Sequence, residues 1–304
     1  MTDIVDINED LIRTYDPEVL DALLRDHTTQ QNIFWATSDY EELGKGFEYH
    51  SPILPELITG EYIKVIRPRT LKARELQSAR SREMAEVFTP SWICNAQNNL
   101  IDEAWFGRKD VFNTEHDDHT WTAAEGRIIF PEGKTWQDYV RDTRLEITCG
   151  EAPYLVSLYD TTTGTPIPLT QRVGLLDRKL RVVGENTDTT GEWLEWAQQA
   201  YMSLYGYEWQ GDSLLLAREA MLYSFMDYYR HKFNAEPQKK SVKYIAYIVS
   251  WNLWQMDGLK FCPPGQEPCD GDLFTPTNLC LVKDWHTHNK DRQKVTFKSL
   301  TNTR

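Results

Sequence analysis

The chain has 304 residues, 40% hydrophobic and 12% aromatic, with a net charge of −13 from 33 Lys and Arg against 46 Asp and Glu. This globular composition supports a sizeable core, and its acidity argues against a protein that coats DNA unaided, because phosphate contacts need a positive face. No apolar window reaches the ~18 residues of a membrane span, and the acidic start "MTDIVDINED" is unlike a secretory signal, so with five widely spaced Cys the chain reads as cytoplasmic with reduced thiols.

In chain order, "DPEVLDALLRD" (16–26) predicts a helix, with Asp16 as N-cap, Pro17 at the first helical position and Val19, Leu20, Leu23 and Leu24 on the apolar face. "NIFWAT" and "EYIKVIRP" read as short strands. "TLKARELQSARSREMAEV" (70–87) reads as a helix whose Lys72, Arg74, Arg80 and Arg82 form a solvated face rather than a nucleic-acid patch. Residues 108–140 are polar and predict an elaborated loop, in which Trp121 and Trp136, like Trp105 and Phe106 before them, pack rather than stack on bases. "RLEIT" at 144–148 is a strand, and "DTTTGTPIP" (160–168) a turn region.

From residue 192 the pattern alternates. "EWLEWAQQAYMSLYG" (192–206) reads as a helix ended near Gly206, and "YGYEW" as a short aromatic strand. "GDSLLLAREAMLYSFMDYYRHKF" (211–233) is a strong helix capped by Asp212 or Ser213, with Leu214, Ala217, Met221, Phe225 and Tyr228 along one stripe. "KSVKYIAYIVSWNLWQMDGL" (240–259) is a helix followed by a strand ending near Met256. Strand, helix, strand, helix, strand is the grammar of a parallel doubly wound α/β sheet, whose ligands sit beyond the carboxyl ends of the strands. There the first strand offers Glu146 and the small turn Thr148-Cys149-Gly150. The second offers Glu208, placed for ribose hydroxyls, and the third Asp257, placed to accept from an exocyclic amine. Taken singly, each carboxylate is better explained as a cap or a solvated residue; together with the small-residue turn, in order at three successive strand ends, they point to an adenosine-containing cofactor.

These residues carry a resemblance. The chain resembles the adenine-specific DNA N6-methyltransferases of restriction–modification systems, over about residues 80–260. "AEVFTPSWICNAQNN" (85–99) is similar to the family's cofactor-methionine motif through Phe88, Thr89 and Pro90. "LEITCGEAPYL" (145–155) matches the loop Asp-Pro-Ala-Cys-Gly-Ser-Gly-x-Phe-Leu, with Glu146 for the aspartate, Gly150 for the first glycine and Ala152 for the second. "YGYEWQGDSLLLAR" places Glu208 on the ribose, and "NLWQMDGL" places Asp257 at the adenine. The resemblance implies S-adenosylmethionine as cofactor, a Rossmann-like class I methyltransferase sheet over 81–304, here incomplete, and an N-terminal α+β extension over 1–80.

Two departures bear on activity. Ala152-Pro153 replaces the second glycine, adding a methyl and removing an N–H donor. The family's Asn-Pro-Pro-Tyr type of catalytic tetrapeptide is missing: the one Pro-Pro pair, Pro263-Pro264, has Cys262 before it and Gly265 after it. The expectation is a SAM-binding subunit, inactive alone, whose tetrapeptide comes from a second methyltransferase or restriction subunit and which meets DNA through that complex. The alternative is a non-catalytic binding or regulatory module. Cys262, Cys269 and Cys280 with His286 and His288 lack the spacing of a common zinc site and read as loop residues.

Overall fold

Asp16 caps the first predicted helix through a bond from the Glu18 amide, and that helix, α2 (Pro17–Leu24), follows a shorter α1 (Glu9–Tyr15). The computed structural model describes residues 8–72, 89–271, 277–287, 289 and 293–301. The helix expected over 70–87 therefore falls almost wholly outside the described residues, as do Phe88 and His288.

The two strands expected near the N-terminus do not form. Phe34 makes an isolated bridge to Pro52, where proline has no N–H to extend a ladder, and Ala36 leaves the extended region at φ 52°. "EYIKVIRP" folds as a 3₁₀ turn, Gly60–Tyr62, followed by further turns. Among the described residues the extension is thus helices, 3₁₀ turns and single bridges rather than α+β. Within the expected loop of 108–140, a hairpin forms from β1 (Asn113–Glu115) and β2 (Trp121–Ala123), and α4 (Trp136–Arg141) opens with a capping box of Thr135 and Asp138. Before the hairpin lies α3 (Ser91–Phe106).

The protein is mixed α/β around a three-stranded parallel sheet of β3 (Arg144–Glu146), β4 (Leu204–Glu208) and β5 (Leu253–Gln255), in that order. The long β3–β4 connection carries two helices, α5 (Leu175–Asn186) and α6 (Thr190–Met202); α7 (Gly211–Phe233) and α8 (Lys239–Asn252) join β4 to β5. Helix α6 stops at Met202, short of Gly206, because Leu204–Glu208 is taken up by pairing with both neighbouring strands. Neither Asp212 nor Ser213 caps α7: the cap position is Gln210, and the Asp212 carboxylate instead accepts from Tyr40 at 2.7 Å and pairs with Lys72 at 2.9 Å.

Period-two alternation divides the sheet's faces. Leu204 and Leu253 face the main core, which runs from Ile12 through Trp193 and Phe225 to Val249. Tyr205, Tyr207 and Trp254 face a smaller cluster with Met256, Cys280 and Val282. The second face carries no long helix among the described residues; a hairpin of β6 (Leu281–Lys283) and β7 (Lys294–Thr296) covers it through Val282 and Val295. That cover stops short of β3, leaving Leu145 44% and Ile147 63% exposed. No strand among the described residues pairs with the outer edge of β3.

Buried cations hold the layers together through carbonyls. Arg218 in α7, fully buried, donates to Leu253 O (2.6 Å), Ser250 O (3.2 Å), Arg25 O (3.1 Å) and Leu23 O. Burial lowers its pKa to about 10. Lys179 in α5 donates to Val140 O (3.0 Å), Asp142 O and Ser203 Oγ (2.6 Å), joining α4, the entry to β3 and the start of β4; burial lowers it to about 7. No helix among the described residues is long and apolar enough to cross a membrane.

Candidate functional site

The register aligns Glu146 with Gly206 and Glu208 with Gln255, so the three carboxyl ends stand side by side. Beyond β3 the Cys149 amide still reaches Tyr207 O at 2.9 Å, carrying the pairing one step into the loop. The loop then turns on three left-handed residues, Thr148 (φ 46°), Gly150 (φ 53°) and Ala152 (φ 57°). A side chain at Gly150 would meet nothing within 4 Å, so open space lies beside that backbone. Ala152 takes the conformation that suits glycine, yet its methyl is wholly buried in the core with Leu155, away from that space.

Gly150 N donates to Glu208 Oε2 at 2.8 Å, and Gln210 N to Glu208 Oε1 at 3.2 Å. Burial raises the Glu208 pKa, and these amide bonds oppose the rise. Glu146 turns back into its own loop, accepting from Leu155 N at 3.1 Å and Tyr154 N at 3.4 Å. Burial pushes its carboxyl up to about 8, against the pull of those two amides and with a further push from Glu208. Burial also raises the Cys149 thiol well above its ordinary range, so it is a packed thiol rather than a nucleophile.

Thr89 and Pro90 come to the same place from α3. Thr89 O accepts from Thr161 Oγ1 at 3.0 Å, Tyr154 hydrogen-bonds Thr89, and the Ser91 amide donates to Asp160 Oδ2 at 2.8 Å. Burial works against ionisation of Asp160, but the bonds from Thr162 and Ser91 outweigh it and hold the carboxyl at about 2. After β5, Met256 N reaches Glu208 O at 2.9 Å, setting Asp257 next to the other strand ends. The Asp257 carboxylate closes its own turn, accepting from Leu259 N at 2.9 Å and Lys260 N at 3.1 Å. Hydrogen bonds thus link Cys149 and Gly150 to the end of β4 and the Asp257 turn to Glu208, and Glu146 to the loop that carries Tyr154, which in turn meets Thr89; Phe88 lies outside the described residues.

The N-terminal segment supplies a wall that sequence reasoning missed. Gln255 donates through Nε2 to Phe34 O and Trp209 O, both at 2.8 Å, and accepts from Phe34 N at 3.0 Å. Trp209 Nε1 reaches Tyr49 Oη at 3.0 Å. The available signal was a glutamine ending the otherwise apolar strand "NLWQM", since a buried amide at a strand end needs backbone partners.

Among the described residues no group of three or more His, Cys, Asp or Glu could hold a metal ion. Cys262 and Cys280 instead sit against Gln266 O and Gln255 O. A cavity of about 590 Å³ opens elsewhere, between the β1–β2 hairpin, α5 and the C-terminal half of α7, and includes none of the predicted site residues. No protein-family model, curated protein or solved structure matches the chain.

Proposed function

We propose that the chain is the S-adenosylmethionine-binding subunit of a DNA adenine N6-methyltransferase of restriction–modification type, acting in the cytoplasm on a Rossmann-like sheet. Glu208 holds the ribose hydroxyls, Asp257 accepts from the adenine amine, and the Gly150 turn with Phe88, Thr89 and Pro90 receives the methionine end. What supports this reading is the row of three parallel strand ends, which carries a small-residue turn with open space beside it and then two carboxylates in sequence. No strand among the described residues continues the sheet beyond β3, and in this reading a second chain bearing the catalytic tetrapeptide adds to that edge.

A second reading, a non-catalytic binding or regulatory module, is favoured by one observation: backbone amides already engage both carboxylates, those of Gly150 and Gln210 on Glu208 and those of Leu259 and Lys260 on Asp257. Calorimetric titration with S-adenosylmethionine separates the two. Micromolar binding that weakens at least about tenfold in Glu208→Gln supports the cofactor reading. A folded chain that releases no heat with the cofactor leaves the module reading.

A further inference from the structure

The β6–β7 hairpin sets two like charges side by side. Lys283 stands directly across from Lys294 in its register, and alternation puts both side chains on the face opposite Val282 and Val295. Such a cross-strand pair, with Cβ atoms about 5 Å apart, is repulsive. Among the described residues neither lysine makes an ion pair; Lys283 Nζ donates to Tyr247 Oη at 3.1 Å. The ammonium groups rest over rings instead. Lys283 Nζ lies 4.1 Å from the Trp285 ring centre, 5.0 Å from that of Tyr247 and 5.9 Å from that of Trp251, and Lys294 Nζ lies 5.6 Å from that of Trp251. A ring face attracts each cation but carries no net charge to cancel the repulsion between them.

The surroundings do not supply that charge. His27 stacks on Trp251 with 3.8 Å between ring centres. Burial, then the charges of Arg218, Arg25, Lys294 and Lys283, lower its pKa to about 3, so the imidazole stays neutral. Two acids close in sequence are turned to other donors: Asp26 accepts from the Thr28 and Thr29 amides and the Thr29 hydroxyl, and Asp284 from the His286 amide. Along α8 the aromatic row continues outward from Tyr247 to Tyr244, whose rings lie 6.1 Å apart at 19°, and Tyr244 is 38% exposed. The row sits at the amino ends of β4 and β5, since Trp285 Nε1 donates to Asn252 Oδ1 at 2.7 Å and Asn252 Nδ2 to Leu204 O at 3.0 Å. It is therefore at the opposite end of the sheet from Glu208 and Asp257.

We propose that this surface binds a single nucleic-acid strand, with backbone phosphates on Lys283 and Lys294 and a base stacked on Tyr244. Phosphates bring the negative charge that the paired lysines lack, and an unpaired base brings a ring face that a run of carboxylates does not. In a chain of net charge −13 the contact is local. It goes beyond the cofactor reading and does not rest on it, because the two sites share no residue.

The test is fluorescence anisotropy of the full chain with a labelled oligothymidylate of about twelve nucleotides, titrated at several salt concentrations. Saturable, salt-dependent binding is expected. Lys283→Gln and Lys294→Gln should each weaken it and lower the log–log salt slope by about 0.7. Tyr244→Leu should weaken it at least about fivefold with the slope unchanged. Lys109→Gln removes the same charge from an exposed position in another loop and should change nothing. Circular dichroism verifies the fold of each variant, and Lys294 and Tyr244 are exposed positions whose replacement leaves the packing intact. The absence of saturable binding, an equal loss in Lys109→Gln, unchanged affinity in Lys294→Gln or Tyr244→Leu, or poly-glutamate binding as tight as the oligonucleotide would each overturn the proposal.

Discussion

Glu208 Oε2 accepts the Gly150 amide across 58 positions of sequence at 2.8 Å, tying the end of β4 to the loop after β3. Removing the acceptor leaves the Gly150 and Gln210 amides without their partner, so Glu208→Ala should cost roughly 2 kcal/mol in denaturant unfolding. Glu208→Gln keeps one carbonyl acceptor and should cost less than about 1 kcal/mol, while still losing the paired oxygens that ribose hydroxyls require. A Gln variant as unstable as the Ala variant would show that the loop depends on the charge itself.

Glu146 sets a pH dependence. Its carboxyl titrates near 8 in the folded chain against an ordinary value of 4.5, so the folded state holds the proton more tightly. The stability linked to that proton is complete below pH 4.5, falls as the pH climbs to about 8, and changes no further above it. Thermal midpoints of the wild-type chain and Glu146→Gln should therefore converge at acid pH and separate between those limits, with Gln the more stable at pH 8. Parallel profiles would contradict the assignment.

At Ala152 two small effects compete. Relief of the left-handed strain by glycine is worth about 1 kcal/mol, and loss of the buried methyl costs about 0.8 kcal/mol. Ala152→Gly should accordingly shift unfolding by less than about 0.5 kcal/mol, whereas the β-branched Ala152→Val, at φ 57°, should lose more than about 2 kcal/mol. Chemical denaturation of the three chains decides this.

A Cβ at Gly211 would stand 2.1 Å from Phe34 O and 2.9 Å from Phe34 C. Both atoms are backbone, and the Gly211 amide is itself bonded to Trp35 O at 3.0 Å. Gly211→Ala should cost roughly 3 kcal/mol, measured by thermal unfolding; a neutral result would mean that the 34–35 segment yields easily.

The exposed edge of β3 gives a test of partnership. Ile147→Lys should leave the isolated chain within about 0.5 kcal/mol of wild type, because the side chain already faces water. The same change should abolish copurification of any second chain that adds a strand there. Unaltered copurification would place the partner elsewhere.

The parts of this fold that were legible in the sequence are those set by local chemistry. The α2 cap at Asp16, the long run Gly211–Phe233 and the helix-to-strand change near Asn252 follow from periodicity and capping within a few residues. What stayed hidden depends on partners far along the chain. Asp212 has the chemistry of a cap but is drawn to Tyr40 and Lys72, contacts spanning 172 and 140 positions. Phe34 has strand propensity but meets Pro52, which has no N–H to offer. Of the site, the residue types and their order were readable. The engagement of Glu208 with Gly150 was not, because a carboxylate in sequence carries no mark of which donor it will find.

Arg218 joins the carbonyls of Leu23 and Arg25 to those of Ser250 and Leu253. A chain cut to residues 81–304 would keep the guanidinium, lose half its acceptors and uncover the core surface that Leu20, Leu23, Ile33 and Trp35 now bury. The N-terminal extension and the sheet therefore share one unfolding transition: heat should melt them together, and proteolysis between them should destabilise both pieces rather than release a folded half.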